Sequence, residues 1–320
     1  MKTKIVYVLV STERDIYLEQ AYISMLSLRH HVPNAHIVLL VDDQTNSSFV
    51  GTRKDKIQLV DELVKVDLPG NLTAQQRSRM LKTSVRNLVD GDFLFVDCDT
   101  IITKSLEEID SCAYDMAACQ DSHSPFVKNP YRDLCLRHGK ILDWPIEKEL
   151  VYFNSGVIYV KDNQKTREFY QKWNEIWQDG AHKGVNMDQP SFAKTNYLMG
   201  HIVQILGDVW NCELKHGMKF LKDAKVVHYL CTNTDSSPLF IMNSKSELLK
   251  VKNGEINPVI NRCFDDPFLG LTQVSQLVCG DDLYYLGSVL YTFFKRRQKK
   301  WYVKLLVKLI LNLRNIKQKL

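Results

Sequence analysis

Short, wholly apolar runs alternate with amphipathic stretches along the first two-thirds of the chain. Ile5–Val10 contains no polar residue, the pattern of a strand buried on both faces of a parallel sheet. From Leu18 to about His30 apolar residues fall at 22, 23, 25, 26 and 28, a helical spacing that Pro33-Asn34 breaks. His36–Val41 predicts a second strand, closing on Asp42-Asp43. Ile57–Val66 suggests a helix-to-strand passage, Asn71–Val89 a helix, and Phe93–Val96 another buried strand. Met116–Cys119 predicts a strand ending near Asp121, whereas 124–149 has no regular pattern. Val151–Val160 is apolar on both sides of the small polar centre Asn154-Ser155-Gly156. Lys165–Trp177 predicts an aromatic-rich helix, and Asp188-Gln189-Pro190 opens the next. Ile205–Trp210 and Ala224–Tyr229 predict short strands, the second reaching His228. From Cys231 to about residue 280 turn residues dominate and no element is predicted. Strand–helix alternation of this kind indicates an α/β fold with a mainly parallel sheet.

The chain has 320 residues, room for one large domain or two small ones, and is 45% hydrophobic and 25% charged. Its net charge of +5 is unevenly placed. Residues 295–320 carry ten Lys/Arg and no acid, which leaves 32 basic and 37 acidic residues, a net of −5, on the rest. The body is therefore not a nucleic-acid binder by charge. Eight cysteines without a Cys-X-X-Cys pair suit a reducing, cytosol-like compartment. The opening run of six apolar residues meets Glu13-Arg14-Asp15 at once and shows no small-residue cleavage site, so it predicts a first strand rather than a signal peptide. No run approaches the ~20 apolar residues of a spanning helix.

The candidate chemistry starts where Phe93–Val96 ends, at Asp97-Cys98-Asp99. A buried strand delivers both acids to its carboxyl end, the edge at which open α/β sheets bind ligands. Two carboxylates two residues apart repel unless a cation lies between them. Mg²⁺ and Mn²⁺ take carboxylates together with phosphate oxygens. Further along stand Ser11, Thr12 and Tyr17 after the first strand, then Phe153-Asn154-Ser155-Gly156-Val157, Asn186-Met187-Asp188-Gln189 and His228-Tyr229. Alone, each has a plain structural reading: an acidic turn, a bulged strand, a helix cap at Asp188, a packed histidine.

In this order, over residues 4–232, the five segments resemble the GT-A-fold glycosyltransferases of family 8, the type of glycogenin and the bacterial lipopolysaccharide galactosyltransferases. The resemblance implies a Rossmann-like, mainly parallel sheet flanked by helices. It implies Mn²⁺ (or Mg²⁺) on Asp97, Asp99 and His228, and a UDP-sugar donor. Asp188, Gln189, Asn154 and Asp121 then match residues around the donor sugar. Ser11, Thr12, Tyr17, Arg79, Lys82, Cys98 and Gly156 match the donor-binding positions, with Tyr17 placed to stack on the base. Arg77, Arg79, Lys82 and Arg86 share one predicted helix, and spacing alone does not say which two face the donor. Family members follow the late histidine with a Gly and a Lys. His228–Thr234 has neither, which leaves diphosphate contacts to the metal, Arg79, Lys82, or Lys245 from a loop.

The implied activity is metal-dependent transfer of a hexose or N-acetylhexosamine from a UDP-sugar to a glycan or glycolipid acceptor, with retention, in surface-polysaccharide or lipopolysaccharide synthesis. Two other readings compete. Asp97-Cys98-Asp99-Thr100 also fits the signature of haloacid-dehalogenase-type phosphatases, with Gly280-Asp281-Asp282 as a late acidic motif, although that signature normally follows the first core strand. The second is a non-catalytic, membrane-associated scaffold. The domains expected are 1–235, catalytic; 236–290, an appendage; and 291–320, a basic amphipathic tail. In the tail Lys300, Lys304 and Lys308 recur every four residues beside Trp301, Tyr302, Leu305, Leu306 and Leu309. That pattern suits a helix lying on an anionic membrane surface, and so a cytoplasmic, peripherally bound protein.

Overall fold

In the computed structural model, residues 1–230, 240–272, 297, 300–306, 308 and 309 are described. The order begins β1 (Lys4–Leu9), α1 (Tyr17–His31), β2 (Ile37–Asp42), α2 (Asp43–Ser47), α3 (Thr52–Lys56), β3 (Glu62–Val66), α4 (Ala74–Leu88), β4 (Phe93–Val96) and β5 (Thr100–Ile102). It continues with β6 (Met116–Gln120), α5 (Arg132–Ile141), β7 (Phe153–Val160), α6 (Gln164–His182), α7 (Asp188–Leu198) and β8 (Val203–Ile205). Then come β9 (Cys212–Glu213), β10 (Val226–His228), α8 (Lys245–Lys252) and α9 (Pro258–Arg262).

A seven-stranded sheet runs β3-β2-β1-β4-β7-β6-β8. Only β7 opposes the others: it pairs antiparallel with β4 and β6, and the remaining neighbours are parallel. Alternate strand residues face two cores. Ile5, Tyr7 and Leu9 pack with Leu18, Met25 and Leu28 of α1. Val6, Val8, Phe93 and Phe95 pack with Leu81 and Val85 of α4 and with Phe169, Trp173 and Phe192 of α6 and α7. With both faces covered, β1, β2, β4 and β7 are apolar throughout apart from the ends of β1 and β2 and the centre Asn154-Ser155-Gly156.

Sequence order reverses between β1 and β4, so their carboxyl ends border one crevice. A small sheet, β5-β10-β9, begins directly after the acidic turn. Tyr229 N–H donates to Asp99 O at 3.2 Å and ties β10 to the acidic turn.

Four expectations change. The irregular stretch 124–149 contains α5, which buries only Cys135 and Gly139 and so gives little apolar signal. The strand expected over Ile205–Trp210 ends at Ile205, because a 3-10 turn follows Gly207. Lys245 opens α8 rather than lying in a loop, and it is exposed. Residues 240–272 share a core with the body: Phe240, Leu248, Val251 and Ile260 pack with Ile23, Ile101, Cys212 and Val227. Of the tail, 301–306 are helical, and the rest of the expected amphipathic helix falls largely outside the described residues, as do 231–239 and Gly280-Asp281-Asp282. No described helix is long and apolar enough to cross a membrane, and the six described cysteines are free thiols.

Candidate active site

β4 ends at Val96 and the next residues carry the acids into the crevice. Asp97 N–H still donates to Gly156 O at 2.8 Å, which extends the β4–β7 pairing by one residue. β10 brings His228 opposite. One ligand atom each from Asp97, Asp99 and His228 lies within 4.8 Å of the others. His228 Nε2 is 3.1 Å from Asp99 Oδ1, and Nδ1 is 3.0 Å from Asn211 Oδ1. Burial works against charge on this ring, yet the Asp99 and Asp97 carboxylates outweigh it and raise the imidazole pKa. Burial raises the Asp97 pKa as well, with Lys82 opposing and Asp99 reinforcing the shift. Two acids that resist joint ionisation, beside an imidazole aimed at them, form a donor set that fits a hard to borderline divalent cation.

α4 supplies the positive charge. Lys82 Nζ stands 3.1 Å from Asp97 Oδ1 and 3.1 Å from Asp188 Oδ2. Arg79 Nε is 2.8 Å from Asp188 Oδ1. Both candidates on this helix therefore meet the site. Arg77 and Arg86 do not. Arg77 pairs with Asp42, and Arg86 donates to the carbonyls of Val89 and Gly91.

Asp188 is the first residue of α7 and caps nothing, since Met187 holds the cap position. Its carboxylate instead accepts from Ser155 Oγ at 2.8 Å. Burial would raise its pKa, but Lys82 and Arg79 hold it well below the usual carboxylate range. It stays ionised at neutral pH.

The remaining predicted residues form a chain of amides. Gln189 Nε2 donates to Asp121 Oδ1 at 2.9 Å, and Asn154 Nδ2 donates to the same oxygen at 3.2 Å. Asp121 Oδ2 accepts from Asn129 Nδ2 at 2.8 Å and from Ser122 Oγ at 3.1 Å. Asp121 thus anchors Gln189 and Asn154. Gly156 is glycine for a local reason: a Cβ there would sit 2.5 Å from His228 Cε1 and 2.9 Å from Asn154 Oδ1. The histidine ring occupies the space a side chain would need.

Ser11, Thr12 and Tyr17 lie at the neighbouring end of β1. Ser11 Oγ donates to Asp15 Oδ1 at 2.6 Å, and Thr12 N–H donates to Asp15 Oδ2 at 2.6 Å, so both are tied to their own loop. Tyr17 is 45% exposed and close enough to Arg79 to interact with its charge. Cys98 turns away: its Sγ donates to Val8 O at 3.3 Å, and burial keeps the thiol protonated. Only its main chain borders the crevice. The sequence reading missed Asn211, Asn129 and Ser155. Ser155 was flagged by its neighbours, but no pattern marks an isolated Asn before a two-residue strand.

No curated protein sequence matches the chain. Among solved structures, an active-site mutant of the galactosyltransferase LgtC aligns at TM-score 0.53 and 13% identity, over 80% of this chain and 98% of that one. The bifunctional glycosyltransferase WbbM aligns at TM-score 0.51 and 17% identity, over 72% of this chain and 46% of that one. The glycosyltransferase GlyE of Streptococcus pneumoniae TIGR4 aligns at TM-score 0.50 and 18% identity, over 91% and 74%. At such identities the likeness is one of fold, and the fold is GT-A of the family 8 kind. The model of the nucleotide-diphospho-sugar transferase family matches residues 72–247, more than half of the chain, a span that holds every residue assigned above to the acidic turn, α4, β7, α7 and His228; the chain is a glycosyltransferase and belongs to that family.

Proposed function

We propose that this glycosyltransferase moves a hexose or N-acetylhexosamine from a UDP-sugar to a glycan or glycolipid acceptor, with Mn²⁺ or Mg²⁺ held by Asp97, Asp99 and His228. The observation that carries the reading is the convergence of those three donors on one point beside the Lys82–Asp188–Arg79 cluster. When bound, the cation supplies Lewis-acid stabilisation of the leaving diphosphate.

The chain's own residues do the rest. Lys82, between Asp97 and Asp188, stands ready to donate to a phosphate oxygen. Arg79 and Lys82 keep Asp188 ionised, so it accepts hydrogen bonds and offsets positive charge growing at the anomeric carbon; it does not donate a proton. Asp121 holds the half-buried Gln189 amide beside Asn154 of β7, a position from which it would meet the donor sugar. Retention at the anomeric carbon, the surface-polysaccharide setting and the cytoplasmic membrane face belong to the same proposal, supported by the family 8 resemblance and the basic tail.

The test is the thermal midpoint of the protein with UDP, with and without Mn²⁺. A ligand at 100 times its Kd stabilises a fold by about 2.7 kcal/mol. A rise that needs both components supports the reading. No shift with UDP or any common nucleotide rejects the UDP-sugar and metal reading. Asp97→Asn and Asp99→Asn should each lose the Mn²⁺-dependent shift and turnover while circular dichroism stays unchanged. Full activity in either variant removes the acids from the metal site.

A further inference from the structure

One backbone N–H determines that Nδ1 of His228 carries a proton. Gly156 N–H can only donate, and it donates to the Asn154 side chain at 2.8 Å. That atom is therefore the amide oxygen, Oδ1. The other end of Asn154, Nδ2, faces the Asp121 carboxylate at 3.2 Å, as it should. Asn154 Oδ1 also lies 3.0 Å from the Asn211 side chain, which must present its NH₂ there. The remaining end of Asn211 is Oδ1, an acceptor, 3.0 Å from His228 Nδ1. Nδ1 therefore donates to Asn211, while Nε2 faces the Asp99 carboxylate at 3.1 Å, where a bound metal ion would take the place of its proton. Asn211 is 0% exposed, Asn154 6% and His228 3%, so this chain of contacts lies out of bulk solvent.

We propose that Asn211 is a positioning residue that fixes His228 as the Nδ1–H tautomer and leaves the Nε2 lone pair facing Asp97 and Asp99 for a metal ion. The proposal rests on the metal reading above. It also explains why the residue is an amide. A carboxylate at 211 would set a second acceptor against Asn154 Oδ1, which Gly156 holds in place, and would add negative charge beside the two acids. An apolar residue would leave Nδ1 unpaired in a buried site, and the ring would be free to turn or to exchange its proton between nitrogens.

The experiment measures Mn²⁺ affinity by electron paramagnetic resonance on the full chain and on Asn211→Leu. Loss of a partner of this kind lowers metal affinity about 10- to 100-fold, and that is the result expected. Affinity equal to the parent chain overturns the proposal. Because Asn211→Leu could fail to fold, ¹⁵N-histidine spectra of the unmutated chain give a second reading, with Zn²⁺ as a diamagnetic probe and His228→Gln to assign the resonance. Metal ligation through Nε2 with Nδ1 protonated supports the proposal, and ligation through Nδ1 overturns it. A ring that no metal perturbs sinks the metal reading instead. The metal-free spectrum then tests Asn211 by itself: a protonated Nδ1, whether or not Nε2 also holds a proton against Asp99, supports its role, and an unprotonated Nδ1 refutes it.

Discussion

Asp188 is almost fully buried and still ionised, a costly arrangement that survives because two cations and a hydroxyl converge on it. Its folded pKa lies below its unfolded value near 3.9. The sign follows: the stability it contributes is fully present above the unfolded pKa and is lost as pH falls through the folded one. Asp188→Asn should therefore lower the thermal midpoint by a constant amount between about pH 5 and 7, and the gap to the parent chain should narrow below about pH 4. A gap that stays constant to pH 3 would mean that the charge of Asp188 contributes nothing to stability. At this scale the sequence was partly legible. Asp97, Asp99, His228, Asp188 and Gln189 stand in short local motifs, and the structure gathers them at one crevice. Asn211 does not, because its role depends on contacts with β7 and β10 that no spacing along the chain encodes. The Cys98 side chain is set by a related rule: a residue between two acids alternates to the other face, and here that face is the core.

α4 shows what an element adds. Arg77, Arg79, Lys82 and Arg86 sit on one short helix, and a helical wheel cannot say which cations are structural. Packing decides it. Thr73 and Gln76 cap the helix reciprocally and set its start, and the rotation that buries Leu81 and Val85 sends Arg77 to Asp42 and Arg86 to the loop before β4. Arg79 and Lys82 are left facing the crevice. Arg77→Leu breaks a buried pair and should cost about 3–5 kcal/mol in urea unfolding. Arg79→Leu should cost less than Arg77→Leu, since Asp188 keeps Lys82 and Ser155, while turnover falls sharply. Equal destabilisation by the two variants would show that Arg79 is a structural cation. The strands were the most legible elements, because burial on both faces leaves a continuous apolar run. α5 was the least, because it buries one edge only.

The whole molecule joins a negatively charged body to a positive tail. Residues 240–272 were opaque in the sequence because their apolar residues find partners on α1, β5 and β10, far away along the chain. The tail was legible as a pattern, and of it residues 301–306 are described as helix. Val303 packs inward at 3%, while Trp301, Leu305, Leu306 and Leu309 are 74%, 50%, 41% and 52% exposed. Apolar groups left outward beside Lys300, Lys304 and Lys308 suit an interface that is oily on one side and anionic on the other. Each Lys or Arg held near such a surface contributes about 1 kcal/mol, and salt weakens that part alone. Removal of residues 295–320 should thus release the protein from phosphatidylserine vesicles while the metal-dependent response to UDP stays intact. With the tail present, raised salt should weaken binding without abolishing it, because the apolar residues remain inserted. Neutral phosphatidylcholine vesicles should capture little. A truncated chain that still sediments with anionic vesicles would place the contact on the body, whose net charge of −5 makes it a poor candidate for that surface. Salt-insensitive binding to both lipids would assign the attachment to Trp301 and the leucines alone.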